Sequence, residues 1–178
     1  MLFNKLNKNN NIINLLPFES YNETMNCFVL KNQKYFDILK FKTKNLATVS
    51  KDELDFDNMY INKFFKTYAG DVKIIGLNFP TNTKSQQIYI KKKIENERNS
   101  LYRQVLQQKL MELENIEKQM TDREYYLFFY SDSKEQYIDN LNLISKSLGS
   151  VNLIEQIDKE KKINILFKMN NKNTAIFL

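Results

Sequence analysis

Histidine, the side chain most used to move protons at neutral pH, is absent from this 178-residue sequence. That removes Ser-His-Asp and Cys-His nucleophile systems and any zinc site built on imidazole. The single cysteine, Cys27, cannot form an intrachain disulfide or supply a thiolate metal site by itself. It opens the apolar stretch CFVL (27–30) and reads as a small buried side chain, since a reactive thiol needs a neighbour that lowers its pKa. Carboxylates gather in DELDFD (52–57), which could in principle attract Mg²⁺. The stretch also stands where a helix begins, and acids there complement the helix dipole, so solvated first-turn acids are the simpler reading. The three glycines, Gly70, Gly76 and Gly149, are too scattered for a phosphate-binding loop. The expectation is a non-enzyme with no cofactor, no metal site and no catalytic residue.

Charge is the remaining chemical asset. The formal net charge is +6 and all basic residues but Arg98, Arg103 and Arg123 are lysine. Two runs, KKK (91–93) and KEKK (159–162), make Lys91, Lys92, Lys93, Lys159, Lys161 and Lys162 the candidate basic interaction surface. Such a surface attracts polyanions or an anionic membrane. Lysine- and asparagine-rich composition also follows from AT-rich coding, and lysine runs are most often solvated helix faces. The aromatic stretch EYYLFFY (124–130) raises base stacking as an alternative. A stacking platform interleaves aromatics with cations. Here Tyr126, Phe128 and Tyr130 fall on one face and Tyr125, Leu127 and Phe129 on the other, with no cation between them. A strand apolar on both sides belongs in a covered sheet or against a partner.

These residues need elements to position them. CFVL and KYFDILKF read as two strands joined at Lys31–Gln33, preceded by a loop-like approach, LLPFESYNETMN. Ser50 with Glu53, Thr83 with Gln86 and Ser133 with Gln136 are capping-box spacings that open three helices. The first carries Leu54, Met59, Ile61, Phe64, Phe65 and Tyr68 at roughly helical period, and Gly70 is placed to stop it. DVKIIGLNFP is a strand ended by Pro80. The second helix runs to about Met120, longer than a typical globular helix, so a break near Asn96–Ser100 or a hairpin arm is expected. Tyr137, Ile138, Leu141, Ile144 and Leu148 form the third, closed by Gly149, and a short strand or turn and a last helix follow.

With 42% hydrophobic residues the chain can bury a real core, and with 3 Gly and 2 Pro its elements should be long. No run approaches the roughly 18–20 apolar residues that span a bilayer. The expected fold class is α+β: a single domain over 15–171, about four strands in an antiparallel or mixed sheet, helices packed on it, and one long helix around 84–120. Residues 1–14 and 172–178 read as tails, and the chain reads as cytoplasmic.

The order of elements resembles the N-terminal, non-ATPase domain of the CagE/TrbE/VirB family of conjugation and type IV secretion motor ATPases. The likeness rests on LLPFESYN before the CFVLKNQKYFDILKF hairpin, DREYYLFFY after a polar helix, and YIDNLNLISKSLGSVNLIEQIDKEKKINILFKMNN at the end. It implies either a stand-alone relative of that domain, the preferred expectation, or an excised piece of one, and a role as a structural and assembly component of a conjugative DNA-transfer apparatus in a Gram-positive-type bacterium. The implied partners are other secretion-channel proteins and a separate motor ATPase, with room for self-association. Membrane association would be peripheral and through partners, at the inner face of the cell membrane. The alternative is a nucleic-acid-binding accessory protein of a mobile element, working through lysine-rich helix faces.

Overall fold

A computed structural model describes residues 17–44 and 48–171; both expected tails lie outside the described residues. In chain order the elements are β1 (Phe18–Asn22), β2 (Cys27–Leu30), β3 (Tyr35–Phe41), α1 (Lys51–Thr67), β4 (Val72–Pro80), α2 (Lys84–Asn96), α3 (Ser100–Gln119), β5 (Thr121–Ser131), α4 (Lys134–Ile144), a π-helical turn (Ser145–Gly149), β6 (Ile154–Gln156) and α5 (Lys159–Asn170). The fold is α+β, as expected, with six strands rather than about four. The sheet order is β1-β2-β3-β5-β4, and β6 pairs with β3.

The extra strands are the short ones. FESYN, expected as loop, is β1, because the free edge of β2 supplies antiparallel partners from Phe18↔Leu30 to Asn22↔Cys27. Its rings also find packing, with Phe18 5.2 Å and Tyr21 5.0 Å from Phe28. Strand propensity is largely a matter of such packing, so the five polar and aromatic residues read poorly alone. The β2–β3 turn is the expected one, with Gln33 at φ 61 and Leu30 N–H donating to the Lys34 carbonyl at 2.8 Å.

At two of the three expected capping boxes the serine cap forms. Ser50 Oγ accepts Glu53 N–H at 3.2 Å and Ser133 Oγ accepts Gln136 N–H at 3.2 Å, each satisfying a donor with no partner inside its helix. At Thr83 the cap is absent. Its hydroxyl instead donates to the Leu113 carbonyl at 3.0 Å, a helix–helix bond. Gly70 does not stop α1 either; the helix ends at Tyr68, which turns extended. A Cβ on Gly70 would lie 2.9 Å from the Tyr68 ring, so the glycine leaves room for that ring.

The described chain groups into two compact units. The first comprises residues up to Ile75 and Tyr125–Ile163. Its sheet is buried on both sides at β5, where Tyr126, Leu127, Phe128 and Phe129 are all inaccessible. On one side Cys27, Leu39, Leu127 and Phe129 pack with Phe64 and Tyr68 of α1, Tyr137 and Ile144 of α4, and Leu148 of the π turn. On the other, Phe36 meets Phe28, Phe128 and Tyr130 at centroid distances of 5.8, 5.3 and 5.0 Å. Each fully buried large apolar side chain contributes about 1.5–3 kcal/mol. The centre of EYYLFFY, Tyr126 to Phe129, is therefore a core strand, with Tyr125 and Tyr130 exposed on either side of it.

The second unit comprises Gly76–Glu124 and residues from Asn164 onward. At its centre is an antiparallel hairpin of α2 and α3. The long helix around 84–120 breaks at Glu97–Asn99, within the range expected for a break, where Asn99 Oδ1 accepts the N–H groups of Leu101 and Tyr102 and starts a new helix. At the far end, Gln87 Nε2 donates to Thr83 Oγ1 at 2.9 Å and to Glu117 Oε2 at 2.5 Å.

Candidate interaction surface

The residues first in line for chemistry are committed to structure. In DELDFD, Lys44 Nζ lies 2.7 Å from both Glu53 Oε1 and Asp57 Oδ2, so a lysine occupies the place a cation would take. Among the described residues no group of three or more His, Cys, Asp or Glu side chains is arranged to hold a metal ion. Cys27 is fully buried. Burial, with the nearby Asp37 carboxylate as a second cause, pushes its thiol up to about 11. At neutral pH that keeps it protonated and a poor nucleophile.

The polar centre of the first unit was hidden in the strand YFDILKF. Asp37, 3% exposed, points from β3 to the same side as Leu39 and Phe129. Its Oδ1 lies 2.6 Å from Lys162 Nζ and accepts the Ile38 N–H at 2.7 Å, while its Oδ2 accepts the Tyr137 hydroxyl at 3.0 Å. Lys162 Nζ also donates to the Asn26 carbonyl, and the Tyr137 hydroxyl lies 3.0 Å from the Met25 carbonyl. Desolvation raises the carboxyl pKa of Asp37, with the Lys162 charge opposing that rise. Burial first, and the Asp37 charge second, push the Tyr137 phenol well above its ordinary range.

Lys162 is therefore not part of an interaction surface. It is 0% exposed, because a carboxylate on a core strand needs a buried cation beside it. Of its neighbours, Lys159 pairs with Glu23 and lies 4.8 Å from the Tyr21 ring centroid, and Lys161 is only half-exposed. Of the KEKK lysines, only Lys162 is taken into the core of the first unit.

The KKK run behaves differently. Lys91, Lys92 and Lys93 are all exposed on α2, in the second unit. At the closed end of the α2–α3 hairpin, Tyr89, Lys92, Lys93, Asn96, Glu97 and Tyr102 line an open cleft of about 460 Å³. Tyr89 is 57% exposed and Tyr102 48%, values unusual for rings that could have been buried. Lys93 Nζ sits 4.7 Å from the Tyr89 ring centroid, a cation–π contact. The hydrogen bond to Tyr89 raises the Lys93 pKa. Arg103 Nε donates to the Ile94 carbonyl at 3.3 Å across the bend. Sequence reasoning found the lysines but not the tyrosines, which come together only once the helix breaks at 97–99.

Fold and surface together define a small α+β domain with an αα hairpin inserted between β4 and β5 and no helix, among the described residues, long and apolar enough to cross a membrane. The chain belongs to the TraC-like family: the archaeal TraC-like domain matches residues 21–172. It is also similar to the uncharacterized protein pXO2-10 of Bacillus anthracis, plasmid-encoded, at 19% identity over 185 residues, covering 96% of this chain and 83% of that protein. No solved structure matches significantly. TraC is a conjugation-related protein, so the family is a conjugation-associated one; the matched domain is TraC-like, and the narrower likeness to the CagE/TrbE N-terminal domain is not what it matches.

Proposed function

We propose that this protein is a non-enzymatic assembly component of a conjugative DNA-transfer apparatus, acting through protein–protein contacts. Membership of a conjugation-associated family supports the setting. The observation that carries the contact role is where apolar surface is left uncovered. Apart from the two tyrosines of the cleft, four large apolar side chains lie exposed on the α2–α3 hairpin: Ile88, Leu101, Val105 and Met111. Exposed apolar side chains gathered on one element mark interaction surfaces more often than chance placement does.

In this reading the partners are secretion-channel proteins and a separate motor ATPase, engaged on the cytoplasmic side of the membrane. The shared element order with the non-ATPase domain of the motor ATPases belongs to the same proposal. The test is affinity capture of the tagged full chain from its native host, with bound proteins identified by mass spectrometry. A channel subunit or motor ATPase should be recovered, and Leu101→Glu with Val105→Glu should lower its yield at least several-fold while the fold persists. Recovery of neither class of partner would remove the reading.

A further inference from the structure

The closed end of the α2–α3 hairpin holds a different kind of surface from the apolar one just described. Between Ile88 and Gln104 the chain carries five cations, Lys91, Lys92, Lys93, Arg98 and Arg103, against two carboxylates, Glu95 and Glu97. The cleft of about 460 Å³ is flanked by Tyr89 and Tyr102, with Lys92 and Lys93 on its wall. The geometry points to a binding site for single-stranded nucleic acid, one or two bases stacking on the two tyrosines and the adjoining phosphates meeting the lysines. This site stands beside the assembly reading and does not depend on it.

The lining fits this occupant better than other anions. A carboxylate-rich peptide or a phospholipid surface would use the lysines but has no use for two half-exposed phenol rings. Duplex DNA keeps its bases stacked and would offer the rings nothing. Unpaired bases have free π faces, and stacking on an aromatic side chain is tolerant of sequence. Lys93 already rests against Tyr89, which places a cation beside a stacked base, where its phosphate runs. Asn96 donates its side-chain N–H to the Lys92 carbonyl at 2.9 Å, leaving the amide oxygen for a base donor. The one carboxylate in the lining is turned aside: Glu97 Oε1 accepts the Asn99 N–H at 2.8 Å.

The experiment is fluorescence anisotropy of the purified full chain with a labelled oligothymidylate of about twelve nucleotides, over a range of salt. Binding should weaken steeply with salt, by about 0.7 in log–log slope for each phosphate contact. Tyr89→Ala and Tyr102→Ala should each lower affinity about ten-fold, the effect of one lost base–aromatic stack. Tyr89→Phe should bind like the parent, because the ring and not the hydroxyl is used. Lys91→Gln with Lys92→Gln and Lys93→Gln should flatten the salt slope by about 2. The proposal is overturned if no salt-dependent binding occurs, or if the alanine variants, folded by circular dichroism, bind as the parent does. It is equally overturned if a duplex, polyglutamate or vesicles of anionic phospholipid bind as tightly as the oligonucleotide. Loss of channel-partner capture with oligonucleotide binding intact would fault the assembly reading alone.

Discussion

Lys162, Tyr137 and Asp37 in the first unit, and Lys93, Tyr89 and Glu97 in the second, are the same three kinds of side chain in two surroundings. The first set is inaccessible and its charged atoms are within 3.0 Å of partners. The second lines an open cleft, with the lysine resting on the exposed Tyr89 side chain. A buried charge is costly unless it is paired and hydrogen-bonded, so the first set must serve the fold. Exposed lysines and tyrosines are under no such obligation and are free to meet a ligand. Residue type therefore says little here; what separates structure from surface is which groups have already found each other.

The largest effect should come from breaking the buried pair. Lys162→Met leaves the Asp37 carboxylate in the core without its cation, and the cost of such an orphan is about 3–5 kcal/mol. The Asn26 carbonyl loses its donor as well. Urea unfolding should show the variant strongly destabilised. Adding Asp37→Leu should restore most of the loss, since well-packed apolar replacements of buried pairs are often neutral and Tyr137 keeps the Met25 carbonyl. A Lys162→Met protein as stable as the parent would mean the lysine is exposed in solution and the comparison is wrong.

A smaller effect is expected from Cys27 at high pH. Its thiol is raised from 9.0 to about 11 by burial and by Asp37, so the unfolded chain loses this proton first. The stability it contributes is full below about pH 9 and is lost as pH rises through about 11. Tyr68, raised by burial to about 12, acts in the same direction, as do Tyr21 and Tyr137. The thiol's own share is the difference between parent and Cys27→Ala. From pH 8 to 11 the parent should lose about 2 kcal/mol more than the variant. Equal losses, or rapid labelling of the native thiol at pH 8, would show that Cys27 is not sealed in the core.

Much of the first unit was legible in the sequence because local signals and packing agree there. CFVL and KYFDILKF are apolar and β-rich, Ser50 and Ser133 sit three residues before Glu53 and Gln136, and EYYLFFY is apolar on both faces. What escaped depends on contacts distant in sequence. Asp37 looked like the polar member of an alternating strand until Lys162, on the last helix, came to meet it. FESYN became a strand only because β2 offered an edge. Thr83 had the spacing of a cap and the hydroxyl of one, yet Leu113 on the neighbouring helix competed for it and won. One of the candidate lysines, Lys162, was misplaced for the same reason. Lysines look alike in sequence whether they face water, as at 91–93, or are drawn into the core by a buried carboxylate, as Lys162 is by Asp37.

The smallest expected effect on stability sharpens that last contrast. Lys92→Gln with Lys93→Gln removes two charges that no buried group requires. Surface substitutions of this kind change stability by fractions of a kcal/mol, so the melting temperature should stay within about 2 °C of the parent. The Lys93–Tyr89 contact is lost, but its cation is fully in water, where such contacts are weak. Thermal melts at low and high salt read the outcome directly, and the shift should be negligible at both. If the double variant melted as far below the parent as Lys162→Met, the hairpin lysines would be holding the second unit together. Their exposure beside Tyr89 and Tyr102 would then mark a structural network, and the contrast between the two lysine runs would vanish.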